Sequence, residues 1–338
     1  MAKILAAMSG GVDSAVAAAL LQRQGHTVGG AVMRLHEFAE REIEDAERSA
    51  KALGMEFYVF SWQAEFSRLV QQPFLESYRA GKTPNPCVLC NKTVKFGLFL
   101  NKAMELGYDR IATGHYARIS CEDGRWLVRT AKDASKDQTY MLYALSQQQL
   151  SRVELPMAEL SKEKARQLAA ELSLPVAEKH DSQDICFIPD GDYMAFLRGR
   201  GLVPTPGHFI GRDGTDYGAH KGQEAYTVGQ RRGLELAFGE RVYVTGKRGG
   251  DVYLGTNEDL FSGRVRIGDV NFIPFDVLSA PIRAQAKLRY TPKTADCTVY
   301  PTEYGAELVF DEPQRAVTPG QAAVLYDGDL LLGGGTSL

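Results

Sequence analysis

No stretch of this 338-residue chain approaches eighteen consecutive apolar residues, so the sequence holds no candidate for a membrane-spanning helix. Cysteine is scarce. Five residues, an odd number, are scattered between Cys87 and Cys297, and no charged-then-apolar leader follows Met1. That pattern implies a reducing, cytoplasmic setting in which thiols stay free for chemistry. Neither sign of charge prevails: 39 basic against 42 acidic side chains leave a net of -3, which by itself points to no nucleic-acid or membrane partner. The phosphate-binding pattern GxxxxGK[ST] is missing, as is any repeat of fixed period. What remains, 44% hydrophobic and 24% charged, is an ordinary globular composition that excludes disorder, collagen and coiled coil. At roughly 150 residues per domain the length suggests two or three domains, able to bury enough surface without disulfides or structural metals.

The first two hundred residues alternate between strand and helix patterns. KILAAM (residues 3–8) reads as a buried strand, a Ser-Gly-Gly turn follows, and Val12, Val16, Ala19 and Leu20 then recur at helical spacing. The unit repeats in HTVGGAVMRL, a helix over 41–54, and FYVFSW. Helices over about 64–78 and 93–106 come next, and the second leads into RIATGH. Such alternation predicts an α/β domain with a doubly wound parallel sheet, binding ligands at the carboxyl ends of its strands. Past about Pro204 helical periodicity gives way to short strands between glycine turns, as in RVYVTG, DVYLGT, AQAKLRY and AAVLYDGDLLLGGG. The reading is therefore a catalytic domain over 1–204, a small β-rich domain over 205–268 and a C-terminal β-barrel over 269–338.

Residues 9–14, SGGVDS, sit between the first strand and first helix. There, glycines admit an anion to the backbone and helix N-terminal amides point at it. The chain offers no lysine to reach a terminal phosphate. It suits the pyrophosphate that departs when an α-phosphorus is attacked, with Asp13 a candidate for Mg2+. The plainer alternative is an N-cap turn in which Ser9 or Ser14 satisfies free amides. The loop resembles that of the ATP-pyrophosphatases, enzymes that adenylate a carbonyl or carboxylate oxygen. By that resemblance ATP is held by Ala7, Met8, Ser9, Gly10, Gly11, Val12, Asp13 and Ser14, with Met33 and Gly114 at the adenosine.

Cys87 and Cys90 in TPNPCVLCNKTVKFG precede a predicted helix, whose amides, with Lys92 and Lys95, would lower a thiol pKa. A structural zinc would want a second such pair, and Cys121, Cys186 and Cys297 do not form one. Cys121 and Cys297 read as packing residues. Two basic runs contain no acid: residues 82–102 hold four lysines, and residues 283–293 hold Arg283, Lys287, Arg289 and Lys293. Each is either a solvated face or a phosphate-contact surface.

SGGVDS, TPNPC-x-x-CNK-x-x-KFG, ATGHYAR, KDQTYMLYAL, DSQDICFI, YTVGQRRGL, LRYTPK and TPGQAAVLYDGD together resemble one family end to end, the tRNA-specific 2-thiouridylases. The resemblance implies an adenine-nucleotide-hydrolase-like α/β domain followed by two β-rich domains. It also implies ATP-dependent 2-thiolation of the wobble uridine in glutamate, lysine and glutamine tRNAs. Cys90 matches the nucleophile and Cys186 the cysteine that carries a persulfide, the two joining as a disulfide during turnover. Asn85, Pro86 and Cys87 match positions that contact the target base. His115, Lys136, Asp137, Gln138, Arg289, Tyr290 and Gln321 match tRNA contacts, which assigns the 283–293 run to the RNA backbone. A cysteine desulfurase or relay protein would supply sulfur to a monomeric enzyme. One departure stands out, because many members carry aspartate where this chain has Cys87. Cys87 is then either a proton acceptor or, with Cys90 and Cys186, a ligand of a 4Fe-4S cluster, so persulfide transfer and cluster-bound sulfide both stand. Two other readings compete. ATP-dependent amidotransferases and lysidine synthetases share the loop but need no such cysteines, and a regulatory nucleotide-binding module would use the loop without chemistry.

Overall fold

The computed structural model describes residues 1–179, 185–237, 239–291 and 293–338. Five parallel strands form the first sheet: β1 (Lys3–Ala7), β2 (Thr27–Arg34), β3 (Phe57–Ser61), β4 (Arg110–Ala112) and a short β7 (Val153–Glu154), in the order β3-β2-β1-β4-β7. Side chains of β1 alternate between two cores, as a strand buried on both faces requires. Ile4 and Ala6 pack with α1 (Val12–Arg23) and α2 (Glu40–Ala52), where Val16, Ala18, Ile43 and Ala46 are buried. Leu5 and Ala7 face the other way, onto Phe96, Phe99 and Leu100.

That opposite face is covered by two long helices with π-helical middles. The helix α3 spans 63–79 through a π segment at Ser67–Gln71, and α4 spans 86–105 through one at Asn91–Leu98. The sequence places the start of α4 at Thr93, but it starts at Pro86. Asn85 is its N-cap, its Oδ1 accepting the Cys87 amide at 3.1 Å, and Pro86 occupies the first helical position, where its missing N–H costs nothing. Cys87 and Cys90 consequently lie within the helix rather than ahead of it.

A hairpin of β5 (Ala117–Glu122) and β6 (Arg125–Thr130) turns at Asp123 and Gly124, both with positive φ. Four strands build the central unit: β8 (His208–Ile210), β9 (Asp216–Ala219), β10 (Tyr243–Arg248) and β11 (Asp251–Gly255), around Phe209, Tyr226, Val244 and Val252. The C-terminal strands are β12 (Phe261–Phe272), β13 (Ile282–Lys287), β14 (Ala295–Thr302), β15 (Gly305–Arg315), β16 (Ala322–Asp327) and β17 (Leu330–Ser337). They run in the order β12-β15-β14-β13-β16-β17, and the β12–β17 pairing closes them into a six-stranded antiparallel barrel. The α/β domain followed by two β-rich units, the last a barrel, is the expected fold. β12 runs unbroken through Gly268, where the sequence reading sets its second boundary. The hairpin of the first domain also joins the barrel sheet, Arg129 of β6 pairing with Leu330 of β17. Cys297 is packed in the barrel core, whereas Cys121 is exposed on β5, contrary to its expected packing role.

Candidate active site

The loop 9–14 lies at the carboxyl end of β1, where the order turns from β2 on one side to β4 on the other. This switch point is where open α/β sheets bind ligands. Gly10 adopts φ +69°, and a Cβ there would stand 2.4 Å from the Glu42 carbonyl oxygen, so only glycine lets the loop pass beneath α2. The Ser14 hydroxyl accepts the Ser9 amide at 3.1 Å and donates to the Gly11 carbonyl at 3.0 Å. It thus ties the loop to itself, while the N-cap Gly11 offers no side-chain partner to the first amides of the twelve-residue α1. Those amides suit an anion. Met33 is the penultimate residue of β2, and Gly114 follows β4 with its Cα against the Asp13–Ser14 peptide. The two expected adenosine positions therefore flank the loop.

Asp13 is already engaged. Lys162, which opens the helix α5 (Lys162–Glu171), places Nζ 2.8 Å from both Asp13 carboxylate oxygens, and the Tyr116 hydroxyl donates to Oδ1 at 2.7 Å. A carboxylate neutralised by an ammonium in this way does not fit a resident Mg2+ at Asp13. Conversely, the fold supplies from 149 residues away the cation that the loop itself lacks.

The three thiols come together beside this loop. Cys90 is buried on α4 among Phe66, Phe74 and Val94, and the same cluster takes in Phe187 and Ile188. Phe187 is the anchor, its ring centroid 5.5 Å from Phe66 and 5.6 Å from Phe74, and it draws the neighbouring Cys186 to Cys90. Residues 180–184 of the DSQDICFI motif lie outside the described residues. Cys186 senses the charge of Cys90, Lys95, Cys87 and Glu42, and Glu42 is the residue whose carbonyl covers Gly10. Glu42 thus lies near both the thiols and the loop.

Their protonation differs from the expectation. Although Cys87 and Cys186 reach solvent, desolvation outweighs the nearby lysine. Burial pushes Cys90 up to about 11 and Cys186 up to about 12, and raises Cys87, while Lys95 alone among the basic groups opposes each rise. The free protein therefore holds three protonated thiols. Among the described residues no three His, Cys, Asp or Glu side chains gather in the arrangement of a metal site.

The expected RNA contacts divide. Asn85 caps α4 and also approaches Met141 Sδ through Nδ2, at 3.8 Å. His115 is packed against Phe96 and accepts or shares a 2.8 Å bond with Thr113, and burial lowers its pKa to about 3, so it stays neutral. Asp137 is buried, its carboxylate taking the Ala131 amide and the Thr139 hydroxyl. Gln138 accepts the Tyr116 amide, and Lys136 sits half-buried beside it. Tyr290 is half exposed, with its hydroxyl on the Asp137 carbonyl. The 283–293 run is largely spent internally: Arg283 pairs bidentately with Asp311, Lys287 approaches Asp137 at 3.8 Å, and Arg289 Nη2 donates to Val228 O, Ala316 O and Thr318 Oγ1. As folded it is a bracing element rather than the open phosphate-binding face expected.

A parallel sheet with an anion-binding Ser-Gly-Gly loop at its switch point, and thiols close by, defines an ATP-binding PP-loop enzyme. Residues 2–190 match the profile described as tRNA methyl transferase HUP domain, residues 195–253 that of its PRC-barrel domain, and residues 262–336 the aminomethyltransferase beta-barrel domain. The chain is 44% identical over 350 residues to the tRNA-specific 2-thiouridylase MnmA of Clostridium acetobutylicum, covering 98% of each chain. It is 43% identical over 352 residues to that of Acetivibrio thermocellus, again over 98% of each. Among solved structures, the U34-tRNA thiolase NcsA of Methanococcus maripaludis with its [4Fe-4S] cluster aligns over 59% of this chain and 66% of its own, at 17% identity and a TM-score of 0.38. The chain belongs to the tRNA-specific 2-thiouridylases, a family of tRNA sulfurtransferases.

Proposed function

We propose that this enzyme replaces O2 of the anticodon wobble uridine in glutamate, lysine and glutamine tRNAs by sulfur, through an adenylated base and a persulfide on Cys186. ATP lies with its phosphates on the amides of 9–14, near Lys162, and its adenosine between Met33 and Gly114. Uridine O2 attacks the α-phosphorus and pyrophosphate leaves, which converts a poor oxide leaving group into AMP. An unpaired anticodon base can be extruded into the site at lower cost than a duplex base. The terminal sulfur of the Cys186 persulfide then attacks C2 and AMP departs, leaving C2 joined through two sulfurs to the Cys186 side chain. The Cys90 thiolate attacks Cys186 Sγ, a Cys90–Cys186 disulfide forms, and the C2–S electron pair returns as the thiocarbonyl. An external thiol reductant restores the two cysteines, and a cysteine desulfurase or relay protein reloads the persulfide.

The observation that carries this reading is the proximity of Cys90 and Cys186, with Glu42, whose carbonyl covers Gly10, near enough for its charge to act on Cys186. Direct transfer is favoured over a cluster because no three Cys, His, Asp or Glu side chains group as metal ligands among the described residues. Cys87, exposed at the start of α4 and protonated in the free protein, serves as proton acceptor in this scheme only once its thiol has ionised beside Lys95. Cys186→Ser should abolish thiouridine formation while pyrophosphate release with unmodified tRNA continues. Thiouridine formed by that variant would refute the persulfide role.

A further inference from the structure

The segment 81–85, which leads into Asn85 and the two helix cysteines, is fastened by the other two domains. The Thr83 amide donates to the Pro319 carbonyl at 2.9 Å, and the Thr83 carbonyl accepts Nε2 of Gln321 at 2.8 Å. Its hydroxyl lies 3.4 Å from that of Thr227 in the central unit. Gly320 adopts φ +92° and packs so closely that a Cβ would stand 3.0 Å from Lys82 Cβ and 3.1 Å from Thr83 N and O. The turn doing the gripping is itself rigid. Gly320 N donates to Ser337 O and Ser337 N to Gln321 O, both at 2.8 Å, which locks it to β17, while Arg289 ties Thr318 and Ala316 to Val228.

We propose that Gln321, with the Gly320 turn, is a positioning device that sets the reach of Asn85 and Cys87 before any RNA arrives. The grip is transmitted because the intervening chain is stiff. Thr83 is followed by Pro84, Asn85 and Pro86, and two prolines with φ fixed leave little freedom to absorb a shift at Thr83 before it reaches Cys87. The two bonds fall on the N–H and C=O of one residue, on the two peptide units that flank its Cα, so they fix direction as well as distance. One donor of the Gln321 amide is committed to protein, which distinguishes it from a side chain held out for RNA alone.

This inference rests on the thiolation reading, and the experiment separates the two. Gln321→Ala and Gly320→Ala are compared with the parent as full chains, first without RNA. Hydrogen exchange at residues 82–84 and the alkylation rate of Cys87 report on the grip, and exchange within α1 serves as the folding control. Losing one such hydrogen bond should speed local exchange roughly five- to tenfold and change Cys87 alkylation, with α1 unchanged. With tRNA, the single-turnover thiolation rate should fall several-fold while tRNA affinity and its salt dependence hold. Unchanged exchange at 82–84 in both variants, with weakened tRNA binding in Gln321→Ala, would overturn the proposal and make Gln321 an RNA contact. Absence of thiolation in the parent protein would instead strike the functional reading and leave the exchange result standing.

Discussion

Lys95 is the residue on which the electrostatics of the site turns. It sits on the π-helical segment of α4, and its charge is felt by Cys87, Cys90, Cys186 and His115. In an α-helix turning about 100° per residue, position 95 would point roughly 140° away from position 90. The wider π winding, which closes on the fifth residue, brings Lys95 back toward Cys90. One cation near three thiols favours one thiolate at a time, and in the proposed scheme the sulfur on Cys186 would be spent before Cys90 ionises. Because burial raises Cys90 to about 11, its alkylation by iodoacetamide in RNA-free protein should climb steadily through pH 9, and Lys95→Gln should push the profile higher still, with Lys95→Arg restoring it. A plateau by pH 8 would contradict this. The sign for stability follows: the unfolded thiols ionise near about 8.5 while the folded ones keep their protons, so stability should fall as pH rises beyond that range. Cys90 and Cys186 are legible in the sequence because their motifs are local. Lys162 is not, since nothing in the spacing of a helix-opening lysine reveals that it will close on Asp13.

At the scale of elements, the widened turn of α4 is supported from outside. Gln149 donates through Nε2 to the carbonyls of Lys92 and Phe96, at 2.9 and 2.8 Å, while its Oε1 completes a capping box with Ser146. Gln149→Ala should leave those carbonyls without their partner and destabilise the protein by roughly 1–3 kcal/mol, with the loss visible as faster exchange in 91–98. An unchanged urea midpoint would show the winding to be self-sustaining. Strand and helix alternation was readable over the first domain because apolar periodicity is strong there. The early start of α4 was masked by TPNPC, which reads as a turn, although Asn85 and Pro86 carry the signature of a helix N-terminus. The hairpin at 117–130 escaped for another reason: its Asp-Gly turn was present, but its strands pair across domains and so carry no helix-covered, fully apolar pattern.

The whole molecule is three units in sequence and one interlocked body in space. β6 extends the barrel sheet, Arg125 reaches Ile273 O and Asp276, and the barrel turn at 318–321 grips the loop that leads to Cys87 and Cys90. Linear boundaries read from composition miss this, because hydrogen bonds between distant strands leave no trace in local spacing. Among the described residues no helix is long and apolar enough to cross a membrane. An anion loop, a lysine and the thiols of Cys90 and Cys186 lie near one another, which in the proposed scheme equips the protein for adenylation followed by sulfur transfer. The most direct test loads Cys186 with isotopically labelled persulfide sulfur, mixes the protein in a single turnover with Mg-ATP and unmodified glutamate tRNA, and weighs the released nucleosides. The account predicts labelled 2-thiouridine in step with one AMP, one pyrophosphate and one Cys90–Cys186 disulfide. Thiouridine without the label, or label transferred with no AMP formed, would contradict it.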